Sequence, residues 1–298
     1  MKALVTGARG FVAGALIKRL AADGWAVVPH SRGGPDLRQA AKGCDVVFHT
    51  AAKVGLWGAY EEYYEANVEG TRRVLEACRE NRVRRLVFTG SPSVVFDGGD
   101  VDGWDESAPY PSRFDSHYSR TKALAEELAL TYEGVSTISL RPHLIWGPGD
   151  RHIAPRLVAK SRAGRLRRIG AYDCLVDTTY IDDCVDAHLL AARADVSGKA
   201  YFLSQGDPRP LWSIVNGLLA AFGEPPVTRS VPYAAAMAAA TVLEKVWLGK
   251  EEPPLTRFLV KQLTTAHWFD ISAARRDLGY APKISIEEGL RRLSETRP

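Results

Sequence analysis

Lys2-Ala3-Leu4-Val5-Thr6-Gly7-Ala8-Arg9-Gly10-Phe11-Val12-Ala13-Gly14 decides the fold. Lys2 to Thr6 is a short run around Ala-Leu-Val and reads as a strand. From Ala15 to Ala22, Leu16, Ile17 and Leu20 fall on one side at helical spacing. A glycine turn joins the two. Glycines let a backbone approach a pyrophosphate closely, and the helix start adds free N–H groups and partial positive charge. A lone glycine motif is weak, but this one ends a first strand and opens a helix. Gly7, Arg9, Gly10, Phe11 and Val12 are therefore expected cofactor contacts. A tight turn with no ligand is the minor alternative.

The next strand reads Trp25-Ala26-Val27-Val28-Pro29, followed by His30, Ser31 and Arg32. An NAD-specific site usually carries an acid there for the ribose 2′-hydroxyl. None is present, and Arg32 is suited to a 2′-phosphate, with Arg9 within reach of the same group. Ser31 and Arg32 join the expected contacts. NADP(H) is preferred, and NAD(H) stays open. Only Gly33 to Gly43 separates this strand from Cys44-Asp45-Val46-Val47-Phe48-His49. The usual third strand is expected to be missing, with Leu37 to Lys42 as a stub of helix.

Composition sets the class. The chain has 298 residues, 46% hydrophobic and 25% charged, with net charge +4. That fits a nucleotide-binding α/β domain with a smaller lobe. The basic clusters Arg82–Arg85 and Arg162–Arg168 lack interleaved aromatics, which argues against nucleic acid. Cys44, Cys78, Cys174 and Cys184 show no metal-ligand spacing, so no metal is expected and the thiols read as buried in a reducing, cytoplasmic compartment. The first residues already form a strand, which leaves no signal peptide. The chargeless stretch Ser230–Leu243 is too short for a membrane span.

Past the buried strand Val46–His49, the small residues Ala51 and Ala52 suit a backbone lying against the cofactor. His49 reads as structural. Tyr60–Arg79 is a helix interrupted by Asn67, a candidate water-relay or backbone-bonding group. The strand Arg85–Phe88 leads to Ser91-Pro92-Ser93 on the crevice side. Asp97–Pro111 reads as a polar loop. In Tyr118-Ser119-Arg120-Thr121-Lys122 a phenol and an amine share one helix face, and a nearby ammonium would lower the tyrosine pKa. Ser136–Leu140 is a strand that Arg141-Pro142 ends.

These pieces occur in one order, with Arg141-Pro142 and Trp146-Gly147-Pro148-Gly149 after them. Together they resemble the extended short-chain dehydrogenase/reductases, Ala13 standing where many members have a third glycine. Ala51–Gly58, Ser91–Gly98, Arg141–Asp150, Val176–Asp182 and Thr265–Ser272 are most similar to the 3β-hydroxysteroid dehydrogenase-like branch. Within it they most resemble the bacterial 2-alkyl-3-oxoalkanoate reductases of long-chain olefin biosynthesis.

The resemblance implies a Rossmann-like, doubly wound parallel α/β sheet with a smaller, mostly C-terminal substrate lobe. Residues 1–150 would bind NAD(P), about 176–204 would return to that domain, and 151–298 would mainly hold substrate. It implies Tyr118 as the acid that protonates a carbonyl oxygen. Lys122 would hold the nicotinamide ribose and keep the tyrosine pKa low. Ser91 would hydrogen-bond the same oxygen, with Ser93 as runner-up. Asn67, Pro142 and Leu144 join the cofactor contacts, and His143–Ile145 would pass the nicotinamide. The family's habit of pairing helices 60–79 and 119–132 raises a homodimer.

In the second half, Asp182-Asp183 reads as a helix start, with capping preferred to metal binding. Helix 234–248 is apolar nearly all round. Plain burial is the default, and a lid over a greasy substrate is the preferred functional version. A membrane-surface or biosynthetic-complex contact is the third. The expected activity is NADP(H)-dependent reduction of the 3-keto group of a bulky hydrophobic substrate, a 2-alkyl-3-oxoalkanoate first. A 3β-hydroxysteroid or sterol-carboxylate dehydrogenase follows, then a nucleotide-sugar epimerase or dehydratase. A non-enzymatic NADP-binding sensor ranks low because Tyr118, Lys122 and Ser91 are all kept.

Overall fold

The computed structural model describes residues 1–249 and 252–296. The chain opens with β1 (Lys2–Thr6), α1 (Phe11–Ala22), β2 (Ala26–His30), α2 (Leu37–Ala41) and β3 (Val46–His49). One helical stretch follows, α3 (Tyr60–Tyr63), a π-helical turn (Tyr64–Glu69) and α4 (Gly70–Glu80), then β4 (Arg85–Thr89). Next come β5 (Val101–Trp104), α5 (His117–Thr131), β6 (Ser136–Pro142), β7 (Ile145–Trp146) and α6 (Ala154–Arg162). After them run β8 (Arg168–Ile169), β9 (Leu175–Val176), β10 (Thr179–Tyr180), α7 (Ile181–Arg193) and β11 (Lys199–Leu203). The chain finishes with β12 (Arg209–Pro210), α8 (Leu211–Ala221), β13 (Ser230–Val231), α9 (Tyr233–Val246), α10 (Arg257–Gln262), β14 (His267–Phe269), α11 (Ser272–Leu278) and α12 (Ile286–Glu295).

The main sheet is parallel throughout, in the order β11-β6-β4-β3-β1-β2. Helices cover both faces, which is why its inner strands read as unbroken apolar runs. One face packs with α1, α7 and α11, the other with α2, α4 and α5. This is a Rossmann-like α/β fold. Strand order reverses between β1 and β3, and ligands bind at such a switch point beyond the carboxyl ends of the strands. The sheet stops at β2, as the short segment predicts. Only α2 fills that stretch, capped by Asp36 Oδ1, which accepts from the backbone of Arg38 and Gln39. Pro29 is tolerated because β2 is an edge strand.

Several expectations need correction. The polar loop 97–111 contains β5, which pairs with β14 in the small sheet β12-β9-β14-β5. A partner about 165 positions away is invisible to local patterning. Pro142 does not stop the strand before itself; it is the last residue of β6 and pairs with Leu203. Asp182 and Asp183 do not cap α7, which has no side-chain cap. Asp183 instead accepts from the backbone of Lys283 and Ile284. Helix α9 is not buried: only Ala236 and Ala240 are, while Tyr233, Val242 and Val246 are exposed and Leu248 beyond it is 99% exposed.

A buried network holds α5 to the sheet. Arg141 of β6 donates through Nη2 to Glu126 at 2.6 Å and through Nε at 3.1 Å. Ser139 and Tyr110 donate to the same carboxylate at 2.5 and 2.7 Å. The two charged side chains are 4% and 0% exposed. Removing one partner of such a pair leaves the other charge uncompensated, which costs about 3–5 kcal/mol. Glu126→Ala should lower the unfolding free energy by about that amount in urea titrations followed by circular dichroism. A loss under about 1 kcal/mol, the scale of a surface pair, would show that this pair does not anchor α5.

Candidate active site

The glycine turn is tight where a ligand backbone contact requires it. Gly7 has φ +73°, and a Cβ there would lie 2.8 Å from Ala51 Cα. No side chain fits between the turn and the end of β3. Gly10 is the N-cap of α1 and brings no side chain to satisfy its N–H groups. The cradle therefore suits a pyrophosphate. Ala13 is fully buried, so alanine serves at that close contact. Phe11 and Val12 pack toward the second lobe, and Phe11 lies beside Gly149. Ala8 donates to His30 O at 3.0 Å, which sets Arg9 beside the Ser31–Arg32 corner. Both arginines are exposed and have no ion-pair partner among the described residues. The residues present fit a dinucleotide.

Ala51 and Ala52 continue from β3 over this turn. Asn67, in the π-helical turn, is buried and bonds backbone: Oδ1 accepts from Lys53 N at 2.7 Å, and Nδ2 donates to Lys53 O at 3.2 Å. Nδ2 also donates to Thr121 on α5 at 3.0 Å. His49 is structural, as expected. Its ring lies between the hydroxyls of Thr6 and Thr71 at 2.7 and 2.9 Å. Burial, helped by the Lys122 charge, lowers its pKa to about 3.

Tyr118 and Lys122 share a face of α5, which Ser116 caps by accepting from Ser119 N at 3.0 Å. Ser91 follows β4, and its hydroxyl faces the Tyr118 phenol. Ser91 and Ser93 hydroxyls are 2.9 Å apart, so the expected donor and its runner-up form one pair. The expected depression of the tyrosine pKa is not found. Burial raises the Tyr118 phenol, and Ser91 only partly pulls it back. Lys122 Nζ donates to Thr89 O at 2.6 Å and lies 4.0 Å from the Phe88 ring centre. Burial lowers Lys122 to about 7, with Glu126 opposing.

Leu144 has φ +41°, a left-handed conformation that costs a non-glycine residue energy. The residue before it is over-determined. His143 N donates to Leu203 O at 3.0 Å, and His143 O accepts from Thr179 at 2.8 Å. Its ring is 2.6 Å from Asp177 and 3.2 Å from His267. Sequence reasoning placed His143 beside the cofactor path but missed this buried cluster, whose members come from three distant segments. It also missed Tyr63, whose phenol donates to Gly55 O at 2.9 Å and shapes the loop after Ala52. An aromatic at helical spacing before Asn67 was the available signal. Among the described residues no cluster of His, Cys, Asp or Glu could hold a metal, and no helix is long and apolar enough to cross a membrane.

Known proteins resemble this chain in both sequence and fold. The family profile described as 3-beta hydroxysteroid dehydrogenase/isomerase family matches residues 32–232. The 2-alkyl-3-oxoalkanoate reductase of Shewanella oneidensis is 43% identical over 328 aligned residues, covering 98% of this chain and 85% of the relative. The protein of that name from Stenotrophomonas maltophilia is 43% identical, covering 98% of each. Both alignments are longer than this chain, so each contains positions that it lacks. Among solved structures, MoeE5 in complex with UDP-glucuronic acid and NAD superposes with a TM-score of 0.76 at 27% identity, covering 99% of this chain and 98% of that one. The protein is an enzyme, an NAD(P)-dependent oxidoreductase acting on a small molecule. The chain belongs to the 3-beta hydroxysteroid dehydrogenase/isomerase family.

Proposed function

We propose that the enzyme uses NADP(H) to reduce the 3-keto group of a 2-alkyl-3-oxoalkanoate to the 3-hydroxy compound. The observation that supports this is that Ser91 meets the Tyr118 phenol while Lys122, one turn along α5 from it, donates to Thr89 O just before Ser91. The relatives of 43% identity support the substrate class. The family description leaves a 3β-hydroxysteroid or sterol-carboxylate dehydrogenase as the second reading.

The bound nicotinamide supplies the hydride. The protein's own groups manage the oxygen. As charge develops there, Ser91 Oγ and Tyr118 Oη donate hydrogen bonds to it, and the proton on Tyr118 Oη is the one transferred. A phenol raised by burial stays protonated at neutral pH, which suits an acid. Lys122 adds positive charge below the phenol while its pKa keeps it charged. Gly7 and Gly10 hold the pyrophosphate, while Ala51, Ala52 and Asn67 fix the wall beside it. Pro142 and Leu144 shape the nicotinamide end. Arg9 and Arg32 take the 2′-phosphate.

Tyr118→Phe should cut kcat for ketone reduction by about 10²–10⁴ while NADPH binding, followed by fluorescence, is retained. Retained turnover would remove Tyr118 as the acid. Paired Arg9→Ala and Arg32→Ala changes delete charge-assisted bonds worth about 1.5–3 kcal/mol each. NADPH should lose roughly tenfold or more in affinity and NADH far less; equal losses would contradict 2′-phosphate recognition. The pH profile has a definite sign. Lys122, held at about 7, loses its proton as pH rises, and the field on the developing oxyanion goes with it. The kcat/KM for reduction should be level below pH about 7 and fall above it. A profile flat from about pH 6 to 9 would show that the charge on Lys122 is not used.

A further inference from the structure

Three charges near the loop after Ala52 are left idle by the scheme above. Arg156 and Lys160 stand four residues apart on α6, so they share one face. That face meets the segment leading to α10. Lys160 Nζ donates to Pro254 O at 3.3 Å, and Arg156 Nη1 is 3.4 Å from Glu252 Oε2. On its other side the Glu252 carboxylate meets the loop after Ala52. A Cβ on Gly55 would be 4.0 Å from Glu252 Oε2 and 3.7 Å from Tyr63 Oη. Burial raises the Tyr63 phenol, and Glu252 and, more weakly, Tyr118 raise it further. Glu252 thus lies between the α6 cations and the tyrosine next to the catalytic one.

These contacts are loose by comparison with their neighbours. Lys53 meets Glu62 at 2.8 Å and Lys261 meets Asp115 at 2.5 Å. Lys160 is half-buried and has no ion-pair partner among the described residues. Burial lowers its pKa and Arg156 lowers it further, while Glu252 acts the other way. Two adjacent cations that share one distant carboxylate are poised for a closer anion. A 3-oxo acid carries its carboxylate two bonds from the carbon that takes the hydride, so its reader must be able to extend toward Tyr118. Arg156 is mostly exposed on a long side chain with several rotatable bonds.

We propose that Arg156 and Lys160 bind the carboxylate of the substrate, and that Glu252 competes with it for the same pair. The inference rests on the reductase reading and adds what that reading lacks, a group that tells a free 3-oxo acid from a neutral ketone or ester. It also gives Glu252 a role, as an internal anion that the substrate displaces.

The test runs in the oxidative direction with NADP+, using a 2-alkyl-3-hydroxyalkanoate and its methyl ester, because the hydroxy acid does not lose carbon dioxide. The readout is the ratio of kcat/KM for acid over ester. Wild type should favour the acid. Lys160→Met and Arg156→Ala should each cut the ratio about tenfold or more, mainly through KM for the acid. Glu252→Gln should raise it about threefold or more, a gain that misfolding cannot produce. An acid-to-ester ratio near one in wild type, or a ratio that none of the three variants moves, overturns the subsite and leaves the reductase intact. Turnover of neither compound by wild type overturns the reductase reading itself, and the subsite with it.

Discussion

The ion pair of Arg141 with Glu126 is the contact on which the site depends. It ties α5 to β6 with both side chains almost wholly out of water. Tyr118 and Lys122 lie about two turns and one turn earlier on the same helix, so the pair sets their height above the sheet. A buried ion pair is a poor source of stability but a strict one of geometry, because a half-satisfied pair is so costly. The same carboxylate acts on Lys122 directly, favouring its charged form against burial. One glutamate therefore serves both the position and the protonation of Lys122.

Around this anchor the crevice is built from close backbone approach rather than from side-chain cages. Gly7 meets Ala51 with no room for a methyl group, and Asn67 clamps the loop after β3 by bonding both backbone groups of Lys53. Thr121 joins Asn67 to α5, which ties the loop after β3 to the helix that carries Tyr118 and Lys122. His49, neutral at its pKa of about 3, fills the space beneath without adding charge. Lys122 is the cation here that burial brings down to about 7.

What the sequence shows of this follows how local the cause is. The strand, glycine turn and helix from Lys2 to Ala22 were readable because each signal lies within its own few residues. The missing third strand was readable by counting between Arg32 and Cys44. The pairing of Tyr118 with Lys122 on one face needed only helical spacing. The failures all depend on partners far along the chain. β5 exists because β14 lies beside it, and Asp183 turns from its own helix to the backbone near residue 283. The lysine effect on Tyr118 failed because the fold buries both groups, which raises the phenol and lowers Lys122 to about 7. α9 reads as apolar, but composition does not say whether a neighbour covers it. The cluster of His143, Asp177 and His267 has the same origin.

The π-helical turn at Tyr64–Glu69 has a wider bearing. A turn of this kind fits one more residue into the length that α-geometry would span, so every side chain beyond it is rotated by about 100° relative to a straight α-helix. Asn67 lies inside that turn and faces the loop after β3 that it clamps. Lining this chain up with a relative whose helix is α throughout therefore requires a one-position gap inside the helix. An ungapped comparison would set Asn67 against a residue that looks the other way, and would miscount the functional positions that the two proteins share.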